Sequence, residues 1–313
     1  MAIESGRLVL HGDGFPVEDR ISVTVGGTPA HVLFASRRRL TVSVPPEAPS
    51  GPADVRVEGV TGPPVAVTIG SPWATGLHQV DNPVFDRDGD LFVTYSGSRG
   101  QEAPVSIFRV RPAGTREPFA SGIVNATSMA FGPDGHLYVS SRFEGTVYRV
   151  QPDGTWQPAA SDLGIACGLA FDADGTMYVG DRSGTVFRVR DGRAAPFVTL
   201  PASVAAFHLA MGPSGELFVC APTLGSYDYV YRIDPGGTVR TVLTPFGRPQ
   251  GLAFSPDGVL HVVEALAGAS GVYRFADLDG PPELIVAGPG LVGLAFGPAG
   301  GLVVASGDTA YHF

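Results

Sequence analysis

The sequence predicts an all-β protein in which a small β-sandwich is followed by a six-bladed β-propeller. One phrase, clearest from Gly168 to Val179, joins an apolar strand, an Asp-Gly turn and a second strand with aromatic alternation, which is the pattern of a β-hairpin. The phrase recurs six times, and its turn glycines are 46, 40, 40, 43 and 42 residues apart: Gly89, Gly135, Gly175, Gly215, Gly258 and Gly300. A period near 40 residues with several strands per copy is the signature of a β-propeller.

The composition fits short strands that are joined by tight turns. The chain of 313 residues contains 43 Gly and 28 Pro, and only 16% of its residues are charged. No long helical pattern occurs. The net charge of −9 disfavours a nucleic-acid backbone or an anionic membrane as a partner, because either needs a positive surface. All 21 basic residues are Arg, which excludes catalysis by a lysine amine.

The cysteines and the termini set few limits on the location of the protein. Cys167 and Cys220 form neither a disulfide framework nor a CxxC metal pattern, and we expect both to be buried. The sequence shows no export signal and no apolar run of about 18 residues. We therefore expect a cytoplasmic protein, with a secreted or periplasmic one as the alternative if an export signal was removed.

Residues 1–70 lack the repeat and alternate like six short strands with Gly and Pro between them, which predicts a small β-sandwich. Three features follow one another in the order found in IPT/TIG domains: Gly12-Asp13-Gly14-Phe15, Val25-Gly26-Gly27, and Val44-Pro45 followed by Ser50-Gly51. The segment resembles that immunoglobulin-like family. The resemblance implies a spacer or a binding module rather than a catalytic domain.

Residues 71–313 are expected to form the propeller, with residues 71–79 closing its last blade. The stretch from Pro72 to Leu77 matches the stretch from Pro118 to Ile123 without a gap, at the 46-residue offset of the turn glycines. The last repeat ends one strand short at Phe313, so the strand near Trp73 is expected to complete it and to remove the exposed edge. The sandwich should then lie at the outer rim of the sixth blade.

The recurring Gly-Leu-Ala-Phe and Asp-Gly steps resemble the NHL repeat family and the wider group of SMP-30/gluconolactonase-like and streptogramin-lyase-like propellers. Asp81-Asn82-Pro83-Val84-Phe85 looks like the Glu-x-Pro-Val-Trp entry of the gluconolactonase-like enzymes, and Gln250-Gly251 resembles their Asn-Gly ligand step. The resemblance implies that Asp81 and Gln250 are ligands of one divalent cation, such as Ca²⁺, Mn²⁺ or Zn²⁺, that polarises a lactone carbonyl.

The face on which the innermost strands begin and the second strands end is the expected ligand site of a propeller. Register across the six copies places the candidate ligand-binding residues on this face: Asn82, Tyr95, Arg99, Thr127, Arg142, Cys167, Arg182, Phe207, Tyr227 and Gln250. The candidate catalytic residues are Asp181, Glu264 and His208, since carboxylates and imidazole carry protons in general acid–base catalysis. Alternatively, Asp181 and Glu264 accept hydrogen bonds from the backbone of adjacent loops.

The favoured hypothesis is a binding protein that holds a small molecule, a carbohydrate or a peptide at the mouth of the central channel. The alternative is a metal-assisted lactone hydrolase or lyase, in which a cation acts as Lewis acid while Glu264, His208 or Asp181 moves the proton. A purely structural scaffold is the third possibility. The sequence itself does not choose between binding and catalysis.

Overall fold

The computed structural model describes residues 1–17, 21–205, 207–242 and 245–313, in which every regular element is a β-strand. The first seven strands are β1 (Arg7–His11), β2 (Val23–Val25), β3 (Thr28–Ala35), β4 (Arg39–Ser43), β5 (Gly51–Val57), β6 (Val65–Ile69) and β7 (Ser71–Ala74). The described part of the chain contains no helix long and apolar enough to cross a membrane.

The first six strands form one antiparallel sheet in the order β1-β4-β3-β2-β5-β6. Strand β3 changes partner along its length: its residues 28–30 pair with β2, whereas residues 31–35 pair with β4. Strands from both ends of the sheet contribute to a single apolar core, which includes Leu10, Val23, Val25, Leu40, Val42, Val55 and Ile69. The sheet therefore folds back over its own core.

Six further sheets of four antiparallel strands follow among the described residues. Sheet 1 contains β8 (Val84–Phe85), β9 (Leu91–Thr94), β10 (Ile107–Val110) and β11 (Arg116–Ala120), and sheet 2 contains β12 (Ala126–Phe131), β13 (Leu137–Ser141), β14 (Thr146–Val150) and β15 (Trp156–Ala160). Sheet 3 contains β16 (Ala166–Phe171), β17 (Met177–Asp181), β18 (Thr185–Arg190) and β19 (Arg193–Thr199), and sheet 4 contains β20 (His208–Met211), β21 (Leu217–Cys220), β22 (Val230–Ile233) and β23 (Val239–Thr241). Sheet 5 contains β24 (Pro249–Phe254), β25 (Leu260–Glu264), β26 (Gly271–Phe275) and β27 (Glu283–Ala287), and sheet 6 contains β28 (Leu291–Phe296), β29 (Leu302–Ser306), β30 (Ala310–His312) and β7.

The six sheets form a closed ring, which is the architecture of a β-propeller. The first strand of each sheet is innermost and contacts the first strand of the next sheet, from β8 through β12, β16, β20, β24 and β28 back to β8. Each pair of neighbouring sheets shares an apolar cluster, for example Phe92 and Met129 between sheets 1 and 2. In sheet 6 the fourth strand is β7, which pairs with β30 and so joins two distant parts of the chain.

The hairpin turns explain why glycine recurs in the repeated phrase. The six turn glycines have φ between +78° and +85°, a left-handed conformation that glycine adopts without steric cost. In sheet 3 the Asp172 carboxylate accepts bonds from the backbone N–H groups of Asp174 (3.0 Å) and Thr176 (2.8 Å), while the N–H of Gly175 bonds to the Asp172 carbonyl oxygen. The Asp and the Gly therefore have separate tasks in one turn.

The N-terminal sheet contacts sheet 5 as well as sheet 6. Ala2 forms parallel bridges with Ile69 and Ala287, and the backbone N–H of Ile3 bonds to the carbonyl oxygen of Ala287 at 3.0 Å. The Tyr311 hydroxyl in sheet 6 donates to the Glu4 carboxylate at 2.9 Å. The expected contact at the sixth blade is therefore only part of this interface, because the free outer edge of β27 also takes the first residues of the chain as a backbone partner.

Candidate functional site

The channel mouth is the face on which the innermost strands begin and the second strands of the sheets end. A buried network of three side chains crosses it. The Nδ1 atom of His208 lies 2.6 Å from Oδ1 of Asp81, and its Nε2 atom lies 3.3 Å from Oε1 of Gln250. His208, Asp81 and Gln250 are 0%, 2% and 7% exposed. The network joins sheets 1, 4 and 5 and places the imidazole between the two predicted cation ligands.

A difference in strand register explains why His208 belongs to this network and Phe207 does not. The innermost strands of sheets 2, 3 and 5 have irregular register just before the Met129, Leu169 and Leu252 positions. In contrast, β20 pairs with β21 without a break from His208 onward. Phe207, which the sequence predicts to bind ligand, is fully buried in the apolar cluster between sheets 3 and 4.

The side chain of Asn82 forms hydrogen bonds between sheets on the inside of the ring. Its Nδ2 atom donates to the carbonyl oxygen of Leu252 at 2.8 Å, and its Oδ1 atom accepts the N–H of Leu294 at 3.0 Å. Sheet 1 is thereby tied to both sheets 5 and 6. A Cβ atom at Gly293 would lie 2.7 Å from the Asn82 Cα, so glycine at that position permits the close approach.

The two other candidate acid–base residues hold backbone loops. The carboxylate of Glu264 accepts the N–H groups of Gly247 (2.6 Å), Arg248 (2.8 Å) and Leu266 (2.7 Å). The carboxylate of Asp181 accepts the N–H groups of Ile165 (2.8 Å) and Ser183 (3.1 Å) and the Ser183 hydroxyl. Both carboxylates are at least 95% buried. Each one fixes the segment that leads into the innermost strand of its own sheet, as expected for the alternative, structural role.

In sheets 2 and 1 the same place is occupied by Ser141 and Tyr95, which also contact the segment before the innermost strand. In sheet 2 the hydroxyl of Ser141 donates to the carbonyl oxygen of Val124 at 2.5 Å. In sheet 1 the ring of Tyr95 packs edge-on against His78, with ring centroids 6.0 Å apart, and also contacts Phe108. Tyr95, predicted to bind ligand, therefore packs against the entry segment of sheet 1.

The buried floor below the mouth includes Cys167 and Thr127, which are 2% and 1% exposed, and Cys167 belongs to the same apolar cluster as Phe207. Burial raises the pKa of the Cys167 thiol to about 12, with a further increase from Asp81 and an opposing effect of Arg142 and Arg182. The thiol is therefore protonated at neutral pH. The Thr127 hydroxyl donates to the Asn125 carbonyl oxygen at 2.8 Å.

Three arginines lie around this floor. Arg142 follows directly after β13 and is half-buried, whereas Arg182, directly after β17, and Arg99, in the loop after β9, are exposed. Burial lowers the pKa of Arg142, and the positive charges of Arg182 and Arg99 lower it further. Tyr227, in the loop after β21, is 67% exposed.

Asn125, which the sequence analysis did not single out, fixes the loop that carries Arg99. Its Nδ2 atom donates to the carbonyl oxygens of Ser96 (2.6 Å) and Ser98 (2.9 Å), and its Oδ1 atom accepts the N–H of Gly100 at 2.8 Å. Asn125 itself has φ of +51°, a conformation that Asn tolerates better than most residues. The sequence offered only one signal for this role, an Asn directly before the innermost strand, because the hydrogen-bond partners of Asn125 are 25 to 29 residues away in the chain.

The donor groups at the mouth do not fit a divalent cation. Across residues 1–17, 21–205, 207–242 and 245–313, no three or more His, Cys, Asp or Glu side chains cluster in a way that could hold a metal ion. The oxygens of Asp81 and Gln250 face the ring nitrogens of His208, and Asp81 Oδ1 also accepts the N–H of Asn82 at 2.7 Å. The imidazole occupies the place that a cation would need between them.

A ring of four-stranded sheets with a polar mouth places the chain among the β-propeller proteins. No family model and no curated protein sequence matches the chain. Solved structures do match its fold. An auxiliary nutrient binding protein from Bacteroides ovatus is 13% identical with a TM-score of 0.60, and the match covers 99% of this chain and 95% of that one.

Two enzymes have comparable folds. A gluconolactonase from Xanthomonas campestris is 16% identical with a TM-score of 0.62 over 77% of this chain and 88% of that one. A catalytically inactive virginiamycin B lyase from Staphylococcus aureus, solved with quinupristin, is 12% identical with a TM-score of 0.56 over 98% of both chains. At such identities the similarity establishes the fold alone.

Proposed function

We propose that residues 1–70 form an IPT/TIG-like, immunoglobulin-type sandwich and that residues 71–313 form a six-bladed NHL/SMP-30-like propeller whose last blade is closed by residues 71–79. The pairing of β7 with β30 and the single core of the N-terminal sheet support this division. The gluconolactonase match covers 77% of the chain, which is about the share that residues 71–313 represent.

We further propose that the protein binds a small molecule, carbohydrate or peptide at the channel mouth. The observation that carries this proposal is which polar side chains at the mouth already have hydrogen-bond partners within the protein. Glu264, Asp181 and Asp81 are all engaged by donors within the protein, whereas the side chains of Arg142 and Tyr227 make no hydrogen bond with any residue that the structure describes. Such a face offers contacts to a ligand and leaves few groups for chemistry.

A lactone hydrolase or lyase is the second candidate, and the His208–Asp81 pair is the observation that favours it. An imidazole oriented by a carboxylate is the usual arrangement of a general base. In this protein, however, the imidazole is fully buried and both of its ring nitrogens face protein oxygens. Catalysis would require these contacts to open when substrate binds.

The test compares binding with turnover. The full-length chain is screened by thermal shift and calorimetry against neutral sugars, short peptides, lactones and organic anions, and each lactone is also followed for acid release. Binding that saturates at one ligand per chain, without acid release, supports the proposed function. Acid release that disappears in His208→Gln and Asp81→Asn supports the enzyme.

Two variants locate the ligand. We expect Tyr227→Ala, at the mouth, to weaken binding several-fold. His136→Gln, on the opposite face near the Asp-Gly turns, is the control and should leave binding unchanged. A ligand lost in the control but retained in the mouth variant contradicts a site at the mouth.

A further inference from the structure

Three arginines lie on one side of the channel mouth. Arg142 and Arg182 occupy the same position in two consecutive sheets, directly after the second strand, and Arg99 comes from the corresponding loop of sheet 1. The corresponding residues of the other three sheets are uncharged: Pro222, Ala265 and Gly307. Three neighbouring sheets thus each place one guanidinium on the same rim, in a chain whose net charge is −9.

These guanidinium groups lack the partners that other arginines of the chain have. Arg109, Arg149 and Arg232 form ion pairs with carboxylates at 2.6, 2.9 and 2.5 Å. In contrast, the side chains of Arg99 and Arg142 make no hydrogen bond and no ion pair with any residue that the structure describes. Arg182 donates from Nε to the Ser203 carbonyl oxygen at 3.3 Å.

The half-buried charge of Arg142 is the unusual feature. A buried charge without a partner is unfavourable, so such groups are normally paired. The neighbouring carboxylates are engaged elsewhere: Asp181 accepts the N–H of Ile165, and Asp81 lies against His208. Arg182 and Arg99 add like charges next to Arg142, so an anion bound there would relieve the repulsion.

The surroundings also accommodate the organic part of a ligand. Phe143, next to Arg142, is 53% exposed, and its ring contacts Gly100 of the loop that carries Arg99. Ile165, whose carbonyl oxygen accepts the N–H of Arg182, is 39% exposed. Apolar surface therefore lies beside the guanidinium groups.

We propose that Arg99, Arg142 and Arg182 bind an oxyanion that carries two or more negative charges, either a phosphate monoester or a dicarboxylate. The inference rests on the proposed function of the mouth as a binding site and specifies the ligand. Guanidinium groups bind both types of oxyanion through paired N–H donors. A ligand with a single negative charge would leave most of the positive charge uncompensated.

The experiment titrates the full-length chain with inorganic phosphate and, separately, with tartrate, and uses glucose as the neutral control. Ionic strength is held constant with NaCl, because screening weakens charge interactions at the surface. We expect saturable binding of at least one anion and none of glucose. Binding of phosphate alone identifies a phosphate ligand, and binding of tartrate alone identifies a dicarboxylate.

Substitutions test whether the anion binds at these arginines. Loss of one charge-assisted contact should weaken anion binding about tenfold or more in Arg142→Gln and in Arg182→Gln. Arg87→Gln, an exposed arginine on the opposite face, is the matched control and should bind as the parent does. If Arg142→Gln does not fold, the exposed Arg99→Gln serves instead. We expect Arg142→Gln without ligand to melt no lower than the parent, because it removes an unpaired charge.

Two outcomes overturn the proposal: neither anion binds, or the mouth variants bind as tightly as Arg87→Gln. If a neutral sugar or peptide still binds at the mouth in either case, the inference about the anion fails and the proposed function stands. If no ligand of any class binds there, both fail.

Discussion

Removal of the Asn82 side chain tests how the ring of sheets is held closed. In Asn82→Ala the carbonyl oxygen of Leu252 and the N–H of Leu294 both lose their partner in a region where these residues are fully buried. Each unpaired buried group costs about 1–3 kcal/mol. We therefore expect a loss of about 3 kcal/mol, which for a domain of this size lowers the melting temperature by about 6–12 °C.

The measurement is thermal unfolding by circular dichroism, supported by chemical denaturation. Gln157→Ala, which removes an amide side chain from the exposed strand β15, is the control and should change stability by about 0.5 kcal/mol or less. If Asn82→Ala melts within about 2 °C of the parent, the two bonds do not hold sheets 5 and 6 to sheet 1.

Two further predictions concern groups that the fold has buried. Glu264→Gln should lower the free energy of unfolding by about 1–3 kcal/mol, because an amide oxygen can accept fewer of the three backbone N–H donors than a carboxylate can. If the variant melts like the parent but loses a measured turnover, Glu264 is instead a catalytic residue. Cys167, with its pKa raised to about 12 by burial, should be about one ten-thousandth thiolate at pH 8. We expect negligible reaction of either thiol with a disulfide reagent in the native protein, and two reactive thiols in guanidinium chloride. Rapid reaction of one thiol in the native protein would contradict the burial of Cys167.

Much of the propeller could be predicted because the sequence patterns that specify its turns and strands are local. Each hairpin turn has a glycine with positive φ, and in sheet 3 an Asp at the first residue of the turn adds a side-chain acceptor, so both signals lie within five residues. The strand near Trp73 could be matched to an internal copy of itself, since the repeat supplies its own alignment. The contact of the N-terminal sheet with sheet 5 had no such signal, because it depends on a free edge of β27 that is far away in the chain.

The candidate site was harder to predict because its contacts are long-range. Alignment of the repeats placed Phe207 at the mouth, but the regular register of β20 directs His208 to Asp81, which is 127 residues away, and leaves Phe207 in the core. A sequence also does not show whether a carboxylate such as Glu264 points to a substrate or to neighbouring backbone amides. The roles predicted for the site residues therefore remain predictions until ligand and turnover are measured.

Metal analysis decides whether a cation or the His208 imidazole joins Asp81 to Gln250. Metal content is measured on protein purified without a chelator, and melting is followed in EDTA and in added Ca²⁺, Mn²⁺ or Zn²⁺. We expect far less than one metal ion per chain and no shift in melting. Near-stoichiometric metal, with a rise in melting temperature that Asp81→Ala abolishes, would contradict a link made by the imidazole, because an ion bound only to the native state stabilises it.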